Sequence, residues 1–293
     1  MLEFILGIVE QGLIYAPIVL GVYITYSILD FPDLSVDGTF PLGAAVTAVC
    51  ILSGMPPVLA ILMAMAAGAA AGFVTGALHV YLKITNLLCG ILTMIALYSV
   101  NLHIMGEKSN IPLFNVDTVF IQAVPKVIIA LLIVLVIKLL LDMYMKTFAG
   151  KSLLAVGVNE QLVKTLAINT GRLKITGLMI ANALAALSGS LMAQYQKFAD
   201  AGMGSGTVVI GLAAVIIGRA LFKKARWIQG STSVIFGSII YKLAIGVALK
   251  LGLPSIDMKL ATAVFFTLVI VLQNDGWRKK LFGTFKKEGG RHA

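Results

Sequence analysis

Charge is the scarcest thing in this chain. Asp, Glu, Lys and Arg make up 12% of its 293 residues, about half the share of an ordinary soluble domain, and no long stretch reaches ordinary charge density. That excludes a water-soluble domain with its own core, so chemistry that needs one must come from a partner. Cysteine is nearly absent. Cys50 and Cys89 fall inside apolar segments, where a free thiol behaves as a small hydrophobe, so a disulfide framework is excluded. His79 and His103 have no companions at metal-ligand spacing, and no His, Asp or Glu cluster marks an acid/base site. We therefore expect no metal, no cofactor in this chain, no catalytic residue and no enzyme. The start, "MLEFILGIVEQG", lacks a basic n-region and a small-residue cleavage site, so the first apolar helix is expected to stay.

What fills the sequence is apolar runs: 59% of residues are hydrophobic and the mean hydropathy is +0.98. Windows of about 20 uncharged residues suffice, as helices, to cross a bilayer. Spans are predicted at 4–29, 41–55, 57–81, 87–105, 119–142, 174–195, 207–222, 228–249 and 259–275. The expected fold class is an all-α polytopic membrane protein of about nine spans, one transmembrane unit over 1–293.

The net charge of +10 comes from basic residues beside alternate span ends: Lys83; Lys138, Lys146, Lys151, Lys164, Arg172 and Lys174; Arg219, Lys223, Lys224 and Arg226; and a run over 278–291. Such placement orients membrane helices and does not call for nucleic acid. It puts the 147–173 loop and the C-terminus in the cytoplasm and, with an odd number of spans, the N-terminus outside.

The second and seventh spans are too short for a straight crossing. They follow "DFPDLSVDGTFPLG" and "DAGMGSG". A long span, a Gly- or Pro-rich break, a short Gly/Ala-rich span and a turn recur in both halves, relating 12–81 to 178–249 as an inverted repeat. Interrupted helices at matching positions of inverted repeats mark a transport pathway. Its candidate residues are Asp33, Ser35, Asp37, Gly38, Gly204 and Gly206 at the breaks, with Asn182 and Gln194 in the polar sixth span. Lys242, inside the eighth span, either lines the pathway and meets a carboxylate or snorkels outward; Glu10 and Gln11 are candidate partners for it. Ser35, Asp37 or Thr39 is expected to cap the short helix that follows the first break. Gly68, Gly72 and Gly76 are read as helix packing, and Lys138 with Asp142 as an i,i+4 pair.

The loop "TFAGKSLLAVGVNEQLVKTLAINTGRLK" contains Gly-Lys-Ser, but a phosphate loop needs a glycine five residues before Gly150, where Met145 stands. It is no nucleotide site. Instead a helix of about nine residues is predicted, with Asn159 as N-cap, Glu160 at the positive end of the dipole, Leu162, Val163 and Leu166 as an apolar stripe and Gly171 as its stop. Such a helix suits docking on another subunit.

"GKSLLAVGVNEQLVKTLAINTGRLKITGLMIANALAALSGSLMAQ" resembles the coupling segment and following helix of permeases in the branched-chain amino acid and ribose family of ABC importers. Lys151, Ala155, Gly157 and Asn159 occupy that family's basic residue and A-x-G-x-N motif. "GLIYAPIVLGVYITYSILDFPDLSVDGTFPLGAA" and "GMGSGTVVIGLAAVIIG" resemble its two breaks, with Asp37 as an apparent insertion. The resemblance implies a homodimer of permeases in a bacterial plasma membrane, a cytosolic ABC ATPase dimer that binds ATP and Mg2+, and an extracellular substrate-binding lipoprotein. It implies uptake of a small solute, an amino acid of aromatic or branched-chain type, with Lys151, Gly157, Asn159, Glu160, Leu162, Val163, Leu166 and Gly171 coupling to the ATPase. The alternative is an ion-coupled secondary transporter, for which Glu10 is the one candidate carboxylate.

Overall fold

The computed structural model describes residues 2–120, 124–223, 228–252, 254 and 257–273. Lys224, Arg226 and the basic run over 278–291 lie outside the described residues. The rest form a helical bundle with one two-stranded β pair. α1 (Leu2–Val22) runs into a π-helical segment, Tyr23–Ile28; then come α2 (Val36–Leu52), α3 (Pro57–Leu82), α4 (Asn86–Ile104), β1 (Asn110–Pro112), α5 (Lys126–Lys146), α6 (Phe148–Val158) and α7 (Glu160–Thr165). α8 (Thr170–Gln196), β2 (Phe198–Asp200), α9 (Thr207–Leu221), α10 (Gly230–Lys250) and α11 (Met258–Gln273) complete it.

Among the described residues six helices are long and apolar enough to cross a membrane: Glu3–Ile28, Pro57–Leu82, Asn86–Ile104, Lys126–Lys146, Thr170–Gln196 and Gly230–Lys250. The second, seventh and ninth predicted spans are the shorter helices α2, α9 and α11, of 17, 15 and 16 residues. Two boundaries move. α2 starts at Val36 rather than 41 and so carries Pro41 inside, which leaves the Asp37 carbonyl without its i+4 donor. α5 starts at Lys126 rather than 119, behind Pro125, because the Val119 N–H is held by Gln194 Oε1 at 2.9 Å.

α8 and α1 are the hub, with 78% and 61% of their apolar windows buried against 17% for α5. They cross antiparallel: Gly21 lies against the Ala181 carbonyl, and Ser188 Oγ donates to Ile14 O at 2.7 Å. α2 runs parallel to α8, its Thr39, Gly43 and Thr47 meeting Asn182, Ala186 and Ser190 in order. α3 runs antiparallel to α8, with Gly68, Gly72 and Gly76 against Asn182, Leu178 and Ile175. This is the tight small-residue packing read from their four-residue spacing.

The other hub carries the same set in the opposite sense. α10 runs antiparallel to α1, through Gly246 against Ile8, Ser238 Oγ on Gly12 O at 2.6 Å and Gly230 against Tyr23. α9 is antiparallel to α10, through Gly218 against Ser233 and Gly237 against Ala214, and so runs along α1, where Gly211 meets Val22. One end of the bundle therefore gathers the last turns of α1, α3, α5 and α9 with the first turns of α8 and α10, and basic residues including Lys83, Lys138, Lys146, Lys164, Arg172, Lys174 and Arg219 with them. Lys138 pairs with Asp142 at 2.6 Å, as their spacing predicts, and Asp142 also receives the Ser231 hydroxyl of α10. At the opposite end β1 pairs antiparallel with β2, which ties the α4–α5 connection to the α8–α9 connection.

Candidate pathway junction and coupling elbow

The first break returns the chain to the middle of the bundle. The π-helical segment lets the Leu29 N–H reach the Ile24 carbonyl and the Phe31 N–H the Thr25 carbonyl, both at 2.9 Å, while the Thr25 hydroxyl donates to the Val22 carbonyl at 3.2 Å. Asp30 then adopts a left-handed φ of 52°, which Asp tolerates better than most residues. Residues 33–39 come to rest at Asn182, midway along α8. The Ser35 N–H donates to Asp33 Oδ1 and Asn182 Nδ2 to Asp33 Oδ2, each at 2.9 Å. Ser35 and Thr39 hydroxyls both donate to Asn182 Oδ1, at 3.1 and 2.7 Å. Ser35, Thr39 and Asn182 are 0% exposed and Asp33 is 3% exposed. These groups satisfy one another, as buried polar groups must; they hold the break against α8 and form no open wall.

Asp37 does something the sequence does not announce. It sits in the first turn of α2, yet its carboxylate caps α9, not the helix that carries it. Oδ2 accepts the Gly206 N–H at 3.0 Å; Oδ1 accepts the Val208 N–H at 2.7 Å and the Thr207 hydroxyl at 2.9 Å. Neither Ser35 nor Thr39 caps α2 with its side chain either: both hydroxyls turn to Asn182 Oδ1, and that of Thr39 also reaches back to the Ser35 carbonyl at 3.0 Å. Gly206, the N-cap of α9, has φ +87°, open to glycine at little cost. Gly204 passes so close to the Asp37 carbonyl, the one freed by Pro41, that a Cβ there would collide with it. The two short helices thus begin beside each other in mid-bundle, N-terminus near N-terminus, and run toward opposite ends. Gly38 completes the knot, its carbonyl accepting from Asn101 Nδ2 at 3.1 Å.

Two of the predicted pathway residues lie apart. Gln194 holds the 118–120 segment through Val119. Lys242 places its Nζ 3.6 Å from the centroid of the Tyr15 ring, a cation–π seat, and Tyr15 in turn stacks on Phe40 at 5.6 Å. Glu10 is not its partner, because Glu10 Oε2 accepts the Tyr195 hydroxyl at 2.9 Å. Among the described residues no group of three or more His, Cys, Asp or Glu is placed to hold a metal ion.

At the basic end the expected single helix is an elbow of two, α6 and α7. Asn159 between them is the N-cap of α7, accepting the Leu162 N–H at 3.0 Å. Gly157 lets α6 press on the π-helical end of α1, where a Cβ would run into the Ile28 carbonyl. Gly171 does not stop the helix. α7 ends at Thr165 with Leu166 as its C-cap, Ala167 turns the chain with a left-handed φ of 57°, and Gly171 lies in the first turn of α8, which Asn169 caps by accepting the Arg172 N–H at 3.0 Å. The apolar stripe divides: Val163 is fully buried, whereas Leu162 and Leu166 are 58% and 65% exposed. The 148–158 stretch, expected as loop, is helical, and Thr147 caps it, its hydroxyl oxygen accepting the Gly150 N–H at 3.2 Å. Lys151 is exposed on α6.

Glu160 clamps α7 to α8, with Lys174 at 2.8 Å, Lys164 at 3.0 Å and the Thr170 hydroxyl at 3.2 Å. The hydrogen bond from Lys174, helped by Lys164 and opposed by partial burial, holds the Glu160 carboxyl down to about 2. A carboxylate whose folded pKa is depressed adds stability above its unfolded value, near 4.3, and loses it as pH falls toward 2. We expect hydrogen-exchange protection of the 161–172 amides, corrected for intrinsic rates, to be constant above about pH 5 and to decline below. A Glu160→Gln variant should show the low protection throughout; an unchanged acid profile in wild type would remove the clamp.

A family model described as "Branched-chain amino acid transport system / permease component" matches residues 4–273. The chain is 50% identical over 270 residues, 92% of its own length and 91% of the other protein's, to the "Tyrosine transport system permease protein" of Clostridioides difficile. It is 34% identical over 286 residues, 94% of this chain and 100% of its relative, to an uncharacterized protein of Rickettsia prowazekii. To the "Galactofuranose transporter permease protein" of Escherichia coli it is 26% identical over 249 residues, 83% and 71% of the two chains. No solved structure matches it. With the model covering the helical bundle from α1 to α11, this chain is a multi-pass membrane transport permease, not an enzyme, and belongs to the family of the branched-chain amino acid transport system permease component.

Proposed function

We propose that the chain is the membrane-spanning subunit of an ATP-driven importer that admits an aromatic amino acid, supplied from outside by a binding lipoprotein. Two copies form the pathway, and a cytosolic ATPase dimer, which holds the ATP and Mg2+, drives it from the basic end. By the charge rule that end is cytoplasmic and the N-terminus external. The substrate class rests on the relative named for tyrosine transport, which shares far more identity than the relative named for galactofuranose. The antiparallel hubs α1 and α8, carrying α9–α10 and α2–α3 in opposite senses, are read as the inverted repeat of a transporter whose broken helices meet at the pathway.

The observation that carries the motor assignment is the elbow. Its backbone is capped and clamped by its own side chains, yet Phe148, Val158, Leu162 and Leu166 are 75%, 88%, 58% and 65% exposed. A preformed helix pair that leaves large apolar groups bare at a charged end fits a helix-in-groove partner. Changing Leu162 and Leu166 together to Glu leaves Asn159 and Glu160 in place. Such a variant should lose copurification with the ATPase and at least about tenfold of substrate-stimulated ATP hydrolysis, the equivalent of 1.4 kcal/mol. Wild-type association and hydrolysis in that variant would remove the docking site.

A further inference from the structure

Beside the junction lies a cavity of about 520 Å3, bordered by Asp37, Pro41, Met94, Tyr98, Asn101 and Ser205, within the size range of small-molecule sites. Its polarity is one-sided. Neither Lys nor Arg lines it, and its two strongest groups are acceptors with capacity to spare. Asn101 is 0% exposed; its Nδ2 is committed to the Gly38 carbonyl, which fixes the amide orientation, and its Oδ1 is buried with no hydrogen-bond partner. A buried acceptor left without a donor is costly and rare. On Asp37, Oδ1 already takes two donors while Oδ2 takes only the Gly206 N–H, leaving a lone-pair direction open. The ring of Tyr98, 53% exposed, and the thioether of Met94 border the same space, as an aromatic side chain requires.

We infer that this cavity is a subsite for an amino acid in transit, Asn101 Oδ1 and the Asp37 carboxylate receiving its ammonium group while Tyr98 and Met94 take its ring. This rests on the reading of the chain as an amino acid permease and adds the orientation, ammonium toward the junction. A carboxylate or phosphate head would meet like charge at Asp37 and no cation.

Saturation-transfer NMR on the full-length permease in zwitterionic lipid nanodiscs tests it, with empty nanodiscs as background and three probes: L-tyrosine, tyramine and 3-(4-hydroxyphenyl)propanoate. Tyramine keeps the ammonium without the carboxylate; the propanoate keeps the carboxylate without the ammonium. We expect L-tyrosine and tyramine to bind and the propanoate to bind at least about tenfold more weakly. Asn101→Leu should weaken both amines. Tyr98→Ala, at an exposed position that the fold does not need, should do the same. Equal binding of propanoate and tyramine, or wild-type affinity in both variants, overturns the subsite. If tyramine binds as described but the assembled transporter with its ATPase imports no amino acid, the functional reading fails and the subsite stands. Normal L-tyrosine uptake with no tyramine binding has the opposite meaning.

Discussion

An Asp37→Ala permease is expected to fold less stably by about 2–4 kcal/mol and to lose most of its solute uptake. The magnitude follows from what the carboxylate does: two backbone N–H groups and one hydroxyl at the start of α9 bond to it, each a bond to a charged acceptor worth about 1.5–3 kcal/mol before losses, against about 1 kcal/mol for an ordinary cap. Without the carboxylate the Gly206 and Val208 N–H groups lose their side-chain acceptor, so α9 would start frayed where it faces α2. Asp37→Asn, which keeps one acceptor oxygen, should fall between. Thermal unfolding in nanodiscs and uptake by the reconstituted assembly measure the two effects. Wild-type stability in Asp37→Ala would mean that α9 holds its place through Gly211 and Gly218 alone.

Gly157→Val should separate ATP hydrolysis from transport. Gly157 is where α6 touches the π-helical end of α1, and the new side chain would occupy the space of the Ile28 carbonyl. Overpacking of this kind costs about 1–3 kcal/mol, and here the cheapest relief is for the elbow to move off α1. The apolar residues of α7 would still face the ATPase, so hydrolysis should persist while uptake drops at least about tenfold. The contact matters because α1 is a hub: α9 and α10 both pack on it, and its π turn is a segment whose register can shift at modest cost, as such turns often do at functional sites. Uptake per ATP at the wild-type ratio would show that force reaches the bundle by another route.

The 147–173 loop separates what local pattern reveals from what it hides. Asn159 as N-cap and Glu160 in the first turn follow from side-chain chemistry within three residues and were legible. The stop assigned to Gly171 failed because the glycine there serves a contact with Val80 of α3, and no window of sequence contains that neighbour. The stripe of Leu162, Val163 and Leu166 was correct in spacing but not in direction, since burial of Val163 alone depends on how α7 leans on α8. Lys242 and Glu10, matched by charge, turned instead to Tyr15 and Tyr195, an aromatic face and a phenol hydroxyl that charge counting ignores.

From the residues alone came the helical class, the membrane setting, the two short spans and the glycine seams, because each is a statement about composition or about a period along one helix, and hydrocarbon thickness and helical pitch are the same in every protein. Tertiary structure alone decided that Asp37 caps a helix some 170 positions away, that Asn182 binds the first break, and that Asn101 keeps an idle acceptor beside an open cavity. A hydrogen bond is decided by distance in space, and the crossing of α1 and α8 sets those distances.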